Sequence, residues 1–373
     1  MRKLVTKRIV DNLLPIQNAD RIELAQVGGW TCIVKKGEFK VGDEGFFFEI
    51  DSFIPASDSR FEFLGKQKTY KRKLGYRIRT MKMKGVLSQG LMLPQSMFPE
   101  LRSINVEDYA ELLKVEKYDV EVASPRGSLK TGDAKGRFPS FIPKTDQPRL
   151  QNLLHYFEAY SDHEFEESLK LDGSSVTMYK IPRKVTLWDK LKSLFTRVEP
   201  KDYSFGVCSR NLEIKRSDKF EATFDNDGFK STYRQSDFWE VAHKYEVEKS
   251  LPVGYAIQGE LVGTKIQGNH ENVDELEMYV FNIWNINEER YLTTEEKQYM
   301  MSGTMQKIPE VPIVSRCIKI FQECKTLDML QDRVTGPSMN AGTISEGRVY
   351  VSTKDPHIHF KLISNKYLLK CEV

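Results

Sequence analysis

Between Glu167 and Lys180 apolar and polar residues alternate over Ser168–Asp172 and again over Ser175–Met178, with Gly173 between the two runs. That pattern reads as two extended segments joined by a tight connection. Leu169 and Leu171 alternate with Lys170 and Asp172 before the glycine, and Val176, Met178 and then Ile181 carry the second segment. A strand's period of two puts Lys170 and Asp172 on one face. Two readings fit these residues: a hairpin with a solvated salt pair, or a lysine set beside a carboxylate for chemistry.

Strand patterns also fill residues 1–98. Gly29–Lys36 is one strand, ended by Gly37; Val41–Gly45 is a turn, Phe46–Ile50 a strand apolar but for Glu49, and Tyr76–Lys84 and Ser88–Leu93 two more. Short strands punctuated by glycine suit a small all-β barrel. Charge singles out the same region. The whole chain carries only +3, yet residues 1–100 hold 18 Lys/Arg against 11 Asp/Glu, or +7, leaving −4 for the remainder. A basic domain joined to a mildly acidic one points to a polyanion docking on the first.

Its centre is Lys66–Lys84, where Lys66, Lys68, Lys71, Arg72, Lys73, Arg77, Arg79, Lys82 and Lys84 stand without one acid, with Tyr70 and Tyr76 among them. This is either a phosphate-backbone site with tyrosines for stacking, or a solvated edge strand that lysines protect from aggregation. Strict alternation places Arg77 and Arg79 opposite Lys82 and Lys84; a bulge near Thr80-Met81 would bring all four together.

Further along, Asn105 is placed to cap a helix over Val106–Leu113. Ser124–Arg137 has no apolar period and reads as a linker or mobile loop. The chain thus divides into 1–98, a helix and linker over 99–137, and a second domain over 138–373. Leu150–Tyr160 is predicted helical, with Lys144 and Arg149 beside an N-terminus that favours anions; as capping and linker residues the two would look the same. Leu187, Trp188, Leu191, Leu194 and Phe195 have helical spacing. They predict an inserted surface helix packing its apolar face locally, with a membrane or partner contact as the alternative. Ser236–Glu248 and a helix opened by the capping box Thr293–Glu296 read as scaffold.

The five cysteines form no Cys-x-x-Cys, and of six histidines only His357 and His359 are close. This argues against a disulfide framework and against tightly coordinated zinc or iron. No apolar run approaches the roughly 20 residues of a membrane span, and Met1–Lys7 lacks the apolar region of a signal peptide. The expectation is an intracellular protein, cytoplasmic or otherwise, with no membrane partner.

Lys170-Leu171-Asp172-Gly173 resembles the Lys-x-Asp-Gly nucleophile motif of covalent nucleotidyltransferases: the ATP- or NAD-dependent DNA and RNA ligases and the mRNA capping enzymes. Stretches similar to that superfamily's other elements follow in order at Ser209–Asn211, Gln258–Gly263, Tyr279–Ile283, Ser345–Val349 and Phe360–Ile363. The N-terminal region resembles a subset, the nick-sealing RNA ligases that carry an OB domain ahead of the catalytic one. The resemblance implies an α+β protein: an all-β OB barrel followed by a nucleotidyltransferase (ATP-grasp-like ligase) domain of antiparallel sheets and helices.

It also implies ATP as AMP donor, Mg²⁺ or Mn²⁺, and Lys170 as nucleophile. Lys144, Arg149, Leu171, Arg210, Glu260, Phe281, Glu346, Lys361 and Lys366 would surround the nucleotide, and Asp172, Glu260 and Glu346 would hold the metal through its waters. Phe281 would stack on the adenine, Glu260 lie near the ribose, Arg210 near the ribose or the substrate's 5′-phosphate, and Lys361 neutralise the α-phosphate. Lys71, Arg72, Lys73, Arg77, Arg79, Lys82 and Lys84 would grip a nicked duplex of RNA, or one containing RNA, with the protein working as a monomer.

One position departs from the pattern. Many relatives carry Lys-x-Lys in the fifth element, whereas Leu362 and Ile363 follow Lys361 here, leaving Lys366 as a substitute from five residues on. The enzymatic alternative is a DNA ligase or a GTP-using capping enzyme. Those generally place an OB domain after the fifth element, and this chain has twelve residues beyond Lys361. An alternative of another class is an inactive RNA-binding module.

Overall fold

Three consecutive phenylalanines set the N-terminal architecture. In the computed structural model, which describes residues 2–118, 134–196, 199–216, 220–225, 228–233, 236–264, 266–340 and 342–371, strand Glu44–Phe48 lies between Val5–Ile9 and Leu91–Pro94. Alternation sends Phe46 and Phe48 into one core with Phe61, Phe98 and Tyr109. Phe47 enters another, with Trp30, Val34 and Ile50. Burial on both faces is why the strand reads as an unbroken apolar run. A second antiparallel sheet (Asn12–Pro15, Ile22–Val27, Trp30–Lys35) and a third (Glu116–Lys117, Ser52–Pro55, Lys73–Arg77, Lys68–Tyr70) extend the all-β unit.

Leu101, Tyr109, Leu113 and Val115 share the core of Phe46, so the boundary expected at residue 98 falls inside a packed unit. The helix expected over Val106–Leu113 is a run of turns instead. Asp108 explains this: its carboxylate accepts the backbone N–H groups of Leu4 and Val5 at 3.1 and 3.0 Å, fastening the segment to the first strand. The single strand expected from Tyr76 to Lys84 is two. Lys73–Arg77 pairs with Ser52–Pro55, and Met81–Met83 with Val86–Ser88 in a separate hairpin. The chain leaves one sheet between them, so neither strict alternation nor a bulge describes these residues.

Of the expected linker, residues 124–133 lie outside the described residues. Ala134–Arg137 is a strand paired with Leu212–Ile214, so the second sheet system begins ahead of Phe138. It contains seven antiparallel strands in the order Ala134–Arg137, Leu212–Ile214, Tyr203–Cys208, Ser174–Pro182, Tyr255–Val262, Glu277–Asn285, Arg290–Tyr291. Helix Asp237–Lys244, capped by Ser236, buries Phe238, Trp239, Val241 and Ala242 against it. A four-stranded sheet follows, in the order Ile313–Ile318, Phe165–Lys170, Gly347–Ser352, His359–Ile363. The capping box at Thr293 and Glu296 opens helix Thr294–Ser302.

Two helical expectations change. Leu150–Tyr160 is a 3₁₀ turn, Leu150–Asn152, and one helical turn, Tyr156–Ala159, too short to present an anion-binding N-terminus. The inserted helix forms as Leu187–Thr196, but Leu187, Trp188 and Phe195 are 78%, 81% and 85% exposed, so these apolar side chains are not packed locally. No helix among the described residues is long and apolar enough to cross a membrane.

The hairpin expected at Gly173 is also different. Phe165–Lys170 belongs to the four-stranded sheet and Ser174–Pro182 to the seven-stranded one, so Leu171–Gly173 crosses between sheets. Leu169, Leu171, Val262, Val273 and Val311 pack where the two meet. Only glycine fits at the crossing, because a Cβ on Gly173 would lie 2.3 Å from the Leu261 carbonyl oxygen. The barrel seats against the 3₁₀ turn. Asn152 donates to Glu49 at 2.5 Å and accepts from Trp30 Nε1 at 2.8 Å and from Arg8 at 2.7 Å, while Gly29 N–H bonds the Gln151 carbonyl at 3.2 Å.

Candidate active site

The two sheets share a cavity of about 190 Å³, and most of the expected site residues line it: Lys170, Leu171, Asp172, Arg210, Glu260, Phe281, Glu346 and Lys361. Strand geometry explains the placement of Lys170. Period two puts it on the side of Glu166 and Ser168, which also line the cavity, while Phe165 and Glu167 face the opposite core. Asp172 follows on the crossover. Glu260 arrives from the seven-stranded sheet, where it pairs with Ser175, and Phe281 from the strand beside it. Glu346 directly precedes Gly347, which pairs with Lys170, and Lys361 lies on the next strand.

Lys170 Nζ lies 2.6 Å from Glu346 Oε2. Burial alone would lower the lysine's pKa, but Glu346, Glu260 and Asp172 outweigh it and hold the amine above its ordinary range. Within these surroundings Lys170 is an ammonium at neutral pH. Burial pushes the Glu260 carboxyl up to about 8, with Lys170 opposing and Glu346 and Asp172 adding to the rise. Burial likewise raises Glu346, against the pull of Lys170. Lys361 moves the other way: burial brings it down to about 8 despite Asp146.

A carboxyl set too crowded to ionise fully is a place for a divalent cation. The described residues contain no group of three or more His, Cys, Asp or Glu that could hold a metal ion directly. Asp172, Glu260 and Glu346 do bring three carboxyls to one cavity, and oxygen donors of this kind suit Mg²⁺, which commonly keeps several of its waters.

Glu260→Gln tests this electrostatic picture. A carboxyl with a native pKa of about 8, against roughly 4.3 in an unfolded chain, holds its proton more tightly when folded. Its stabilising contribution is full below the unfolded value and is lost as pH rises through the folded one. In buffer without nucleotide or divalent ions, the melting temperature of wild type relative to Glu260→Gln should fall from about pH 5 to about pH 8 and then level off. A difference that stays constant across this range would show that Glu260 titrates normally.

The other expected residues stand elsewhere. Lys144 is exposed and donates to Asn211 Oδ1 at 2.8 Å. Arg149 is buried, 3.8 Å from Asp51 of the barrel and over the Trp30 ring at 5.9 Å. Lys366 is exposed on helix Asn365–Cys371 and does not line the cavity. In the basic run Lys71, Arg72, Lys73, Arg79, Lys82 and Lys84 are exposed, with Lys73 paired to Glu116. Arg77 is half-buried, bonded to Asp51 at 2.8 Å and stacked on Tyr118 at 4.6 Å, so it is an internal cation.

Asp146, Glu271 and Tyr367 went unread in the sequence. Asp146 lines the cavity and joins Lys361 at 3.1 Å to Lys117 at 3.0 Å. Glu271 and Tyr367 both bond Asp172. The one available signal was the apolar pairing of Tyr367 with Leu368 in a C-terminal helical run. A larger groove of about 480 Å³, lined by Arg183, Lys201, Tyr203, Trp239 and Glu248, holds none of the expected residues. Its charges are matched internally, Lys201 with Glu248 and Arg183 with Asp189.

No curated protein sequence matches the chain. The model of an OB-fold domain matches residues 4–95, and that of the RNA ligase family matches residues 163–368. The structure is similar to those of Naegleria gruberi RNA ligase along nearly the full length of both chains. A lysine-to-methionine variant of that enzyme with AMP and Mn gives a TM-score of 0.82 at 34% identity, covering 98% of each chain. A lysine-to-alanine variant with ATP and Mn gives 0.80 at 34% identity, again over 98% of each. The same ligase with pyrophosphate gives 0.81 at 34% identity, over 99% of this chain and 98% of that one. The N-terminal unit is thus an OB fold, followed by a mixed α+β ligase domain, and the chain belongs to the RNA ligase family.

Proposed function

We propose that the protein is an ATP-dependent RNA ligase that seals 3′-hydroxyl/5′-phosphate nicks through a lysyl-AMP intermediate. The observation that carries this is Lys170 set among Asp172, Glu260 and Glu346, with Lys361 in the same cavity. In the first step Lys170 Nζ, having lost its proton, bonds the α-phosphorus as the bond to pyrophosphate breaks. In the second, an oxygen of the substrate's 5′-phosphate takes the AMP and the P–N bond breaks. In the third, the 3′-hydroxyl attacks, a phosphodiester forms and AMP leaves. Each step is phosphoryl transfer, governed by positioning and electrostatics.

A bound Mg²⁺ or Mn²⁺ supplies positive charge that offsets the carboxylates and the phosphates. Asp172, Glu260 and Glu346 would hold its waters, and once their charge was offset, burial would dominate at Lys170 and favour the neutral amine. Lys361 stabilises the charge on the α-phosphate. Phe281 stacks on the base, and Arg210 faces the ribose or the 5′-phosphate. ATP and Mn in the Naegleria gruberi ligase structures support this assignment of nucleotide and metal.

The test is incubation with α-labelled ATP and Mn²⁺ or Mg²⁺, followed by a nicked RNA duplex. The expected label is covalent, stable to alkali and lost in acid, as a P–N bond requires, and it should be chased into a sealed strand. A protein that seals nicks without acquiring label, or never acquires it, would overturn the reading.

We further infer that the exposed basic groups of the OB domain grip the duplex. Arg79→Glu with Lys82→Glu should leave covalent AMP transfer unchanged and weaken nick binding and sealing. Each lost phosphate contact should flatten the log–log salt dependence of binding by roughly 0.7–0.9. The measurement is nick-binding affinity across a salt series, paired with the adenylation rate; normal binding and sealing would make the run a solvated edge. Arg77 is unsuitable for this test, because its loss also breaks the Asp51 ion pair.

A further inference from the structure

Asp172 lies on the crossover, in a three-residue segment outside either sheet. Two side chains hold it there. The Tyr367 hydroxyl donates to Asp172 Oδ2 at 2.7 Å. The Asp172 backbone N–H donates to Glu271 Oε1 at 3.0 Å. Glu271 is wholly buried, its other oxygen accepts the Ser338 hydroxyl at 2.5 Å, and its carbonyl accepts Asn340 Nδ2 at 2.8 Å. Tyr367 is equally well anchored. It is buried with Ile363 and Leu368, and its ring meets that of His270 edge-on at 5.1 Å. His270 Nε2 in turn bonds the Ile344 carbonyl at 2.7 Å, two residues before Glu346.

A carboxylate has two oxygens and a broad terminal torsion, so one fixed donor decides which oxygen is left over. With the Tyr367 hydroxyl fixed on Oδ2, the orientation of the whole carboxylate is set relative to the cavity that Asp172 lines. We propose that Tyr367 is a positioning residue for the reaction, restraining the Asp172 carboxylate in an orientation from which it accepts a hydrogen bond from a metal-bound water. This rests on the reading of Asp172 as a holder of the cation's hydration shell. Partners of residues that ligate a metal directly typically change its affinity by about 10–100-fold when lost; acting one step further out, through a water, Tyr367 should have an effect at or below the lower end of that range.

The test measures binding, so it does not depend on turnover. In a Lys170→Met background, which cannot form lysyl-AMP, ATP affinity is measured by calorimetry with and without Mn²⁺. The ratio of the two affinities is the coupling between metal and nucleotide. Tyr367→Phe keeps the ring and its packing and removes only the hydroxyl. It should lower that ratio several-fold, up to about 10-fold, leave metal-free ATP affinity unchanged, and melt close to the parent. Asp172→Asn is the reference. If Asp172→Asn lowers the ratio and Tyr367→Phe does not, positioning by Tyr367 is overturned while Asp172 keeps its role. If Asp172→Asn leaves the ratio unchanged, the assignment of Asp172 itself falls. A Tyr367→Phe protein that loses ATP affinity equally with and without Mn²⁺ would also overturn the proposal, since that is loss of packing.

Discussion

Lys170→Met will abolish covalent AMP transfer from ATP while still binding the nucleotide. The side chain is a straight one ending the strand Phe165–Lys170, 24% exposed, and methionine fills the same path without the amine. Glu346 loses its partner at 2.6 Å, but its carboxyl is already raised by burial and takes up a proton instead of remaining an unpaired buried charge. The strand pairing to Gly347–Ser352 is backbone-based and survives. Loss of the nucleophile should reduce adenylation by roughly 10³-fold or more. A strand already carrying 5′-AMP bypasses the missing step, so its sealing should persist in part. The measurement is label incorporation alongside sealing of the pre-adenylylated nick. Covalent AMP on the variant would show that another residue is the nucleophile.

Lys361→Ala and Lys366→Ala should differ sharply, despite lying five residues apart. Lys361 is 13% exposed, lines the cavity, and has its pKa brought down to about 8 by burial. Its charge is therefore poorly hydrated, and on the proposed assignment an incoming phosphate would replace Asp146 as its partner at little further desolvation cost. Lys366 sits on an exposed helical face, outside the lining. Removing one such preorganised cation costs about 10²–10³ in rate, so Lys361→Ala should lose that much adenylation and Lys366→Ala less than about twofold. Equal losses from both would mean that the paired lysines of the fifth element are kept with altered spacing. Full activity in both would remove Lys361 from the site.

The sequence was legible where short-range chemistry decides the outcome. Lys170, Asp172, Glu260, Glu346 and Lys361 were all visible as motif residues, and they converge. The capping box at Thr293 and the strand at Trp30 were visible for the same reason. What it could not show was which sheet a strand joins. Alternation around Gly173 states which way side chains face, and a hairpin and a crossover satisfy it equally well. Tyr76–Lys84 failed similarly, since the break at Ile78–Thr80 comes from pairing partners far along the chain. Val106–Leu113 looked helical because Asn105 is placed as its N-cap; the bonds of Asp108 to Leu4 and Val5, a hundred positions away, decide otherwise. Arg77 seemed one basic group among many until Asp51 and Tyr118 enclosed it. Glu271 lies in a polar run that gives no hint of complete burial.

The crossover at Leu171–Gly173 has a mechanical side. Lys170, Glu346 and Lys361 travel with one sheet, and Glu260 and Phe281 with the other. On the proposed assignment, a nucleotide held by both sets would act as a splint across the joint, its phosphates against one plate and its base and ribose against the other. Any hinge motion between the plates therefore changes the distance from Lys170 to Glu260, although neither residue moves within its own strand.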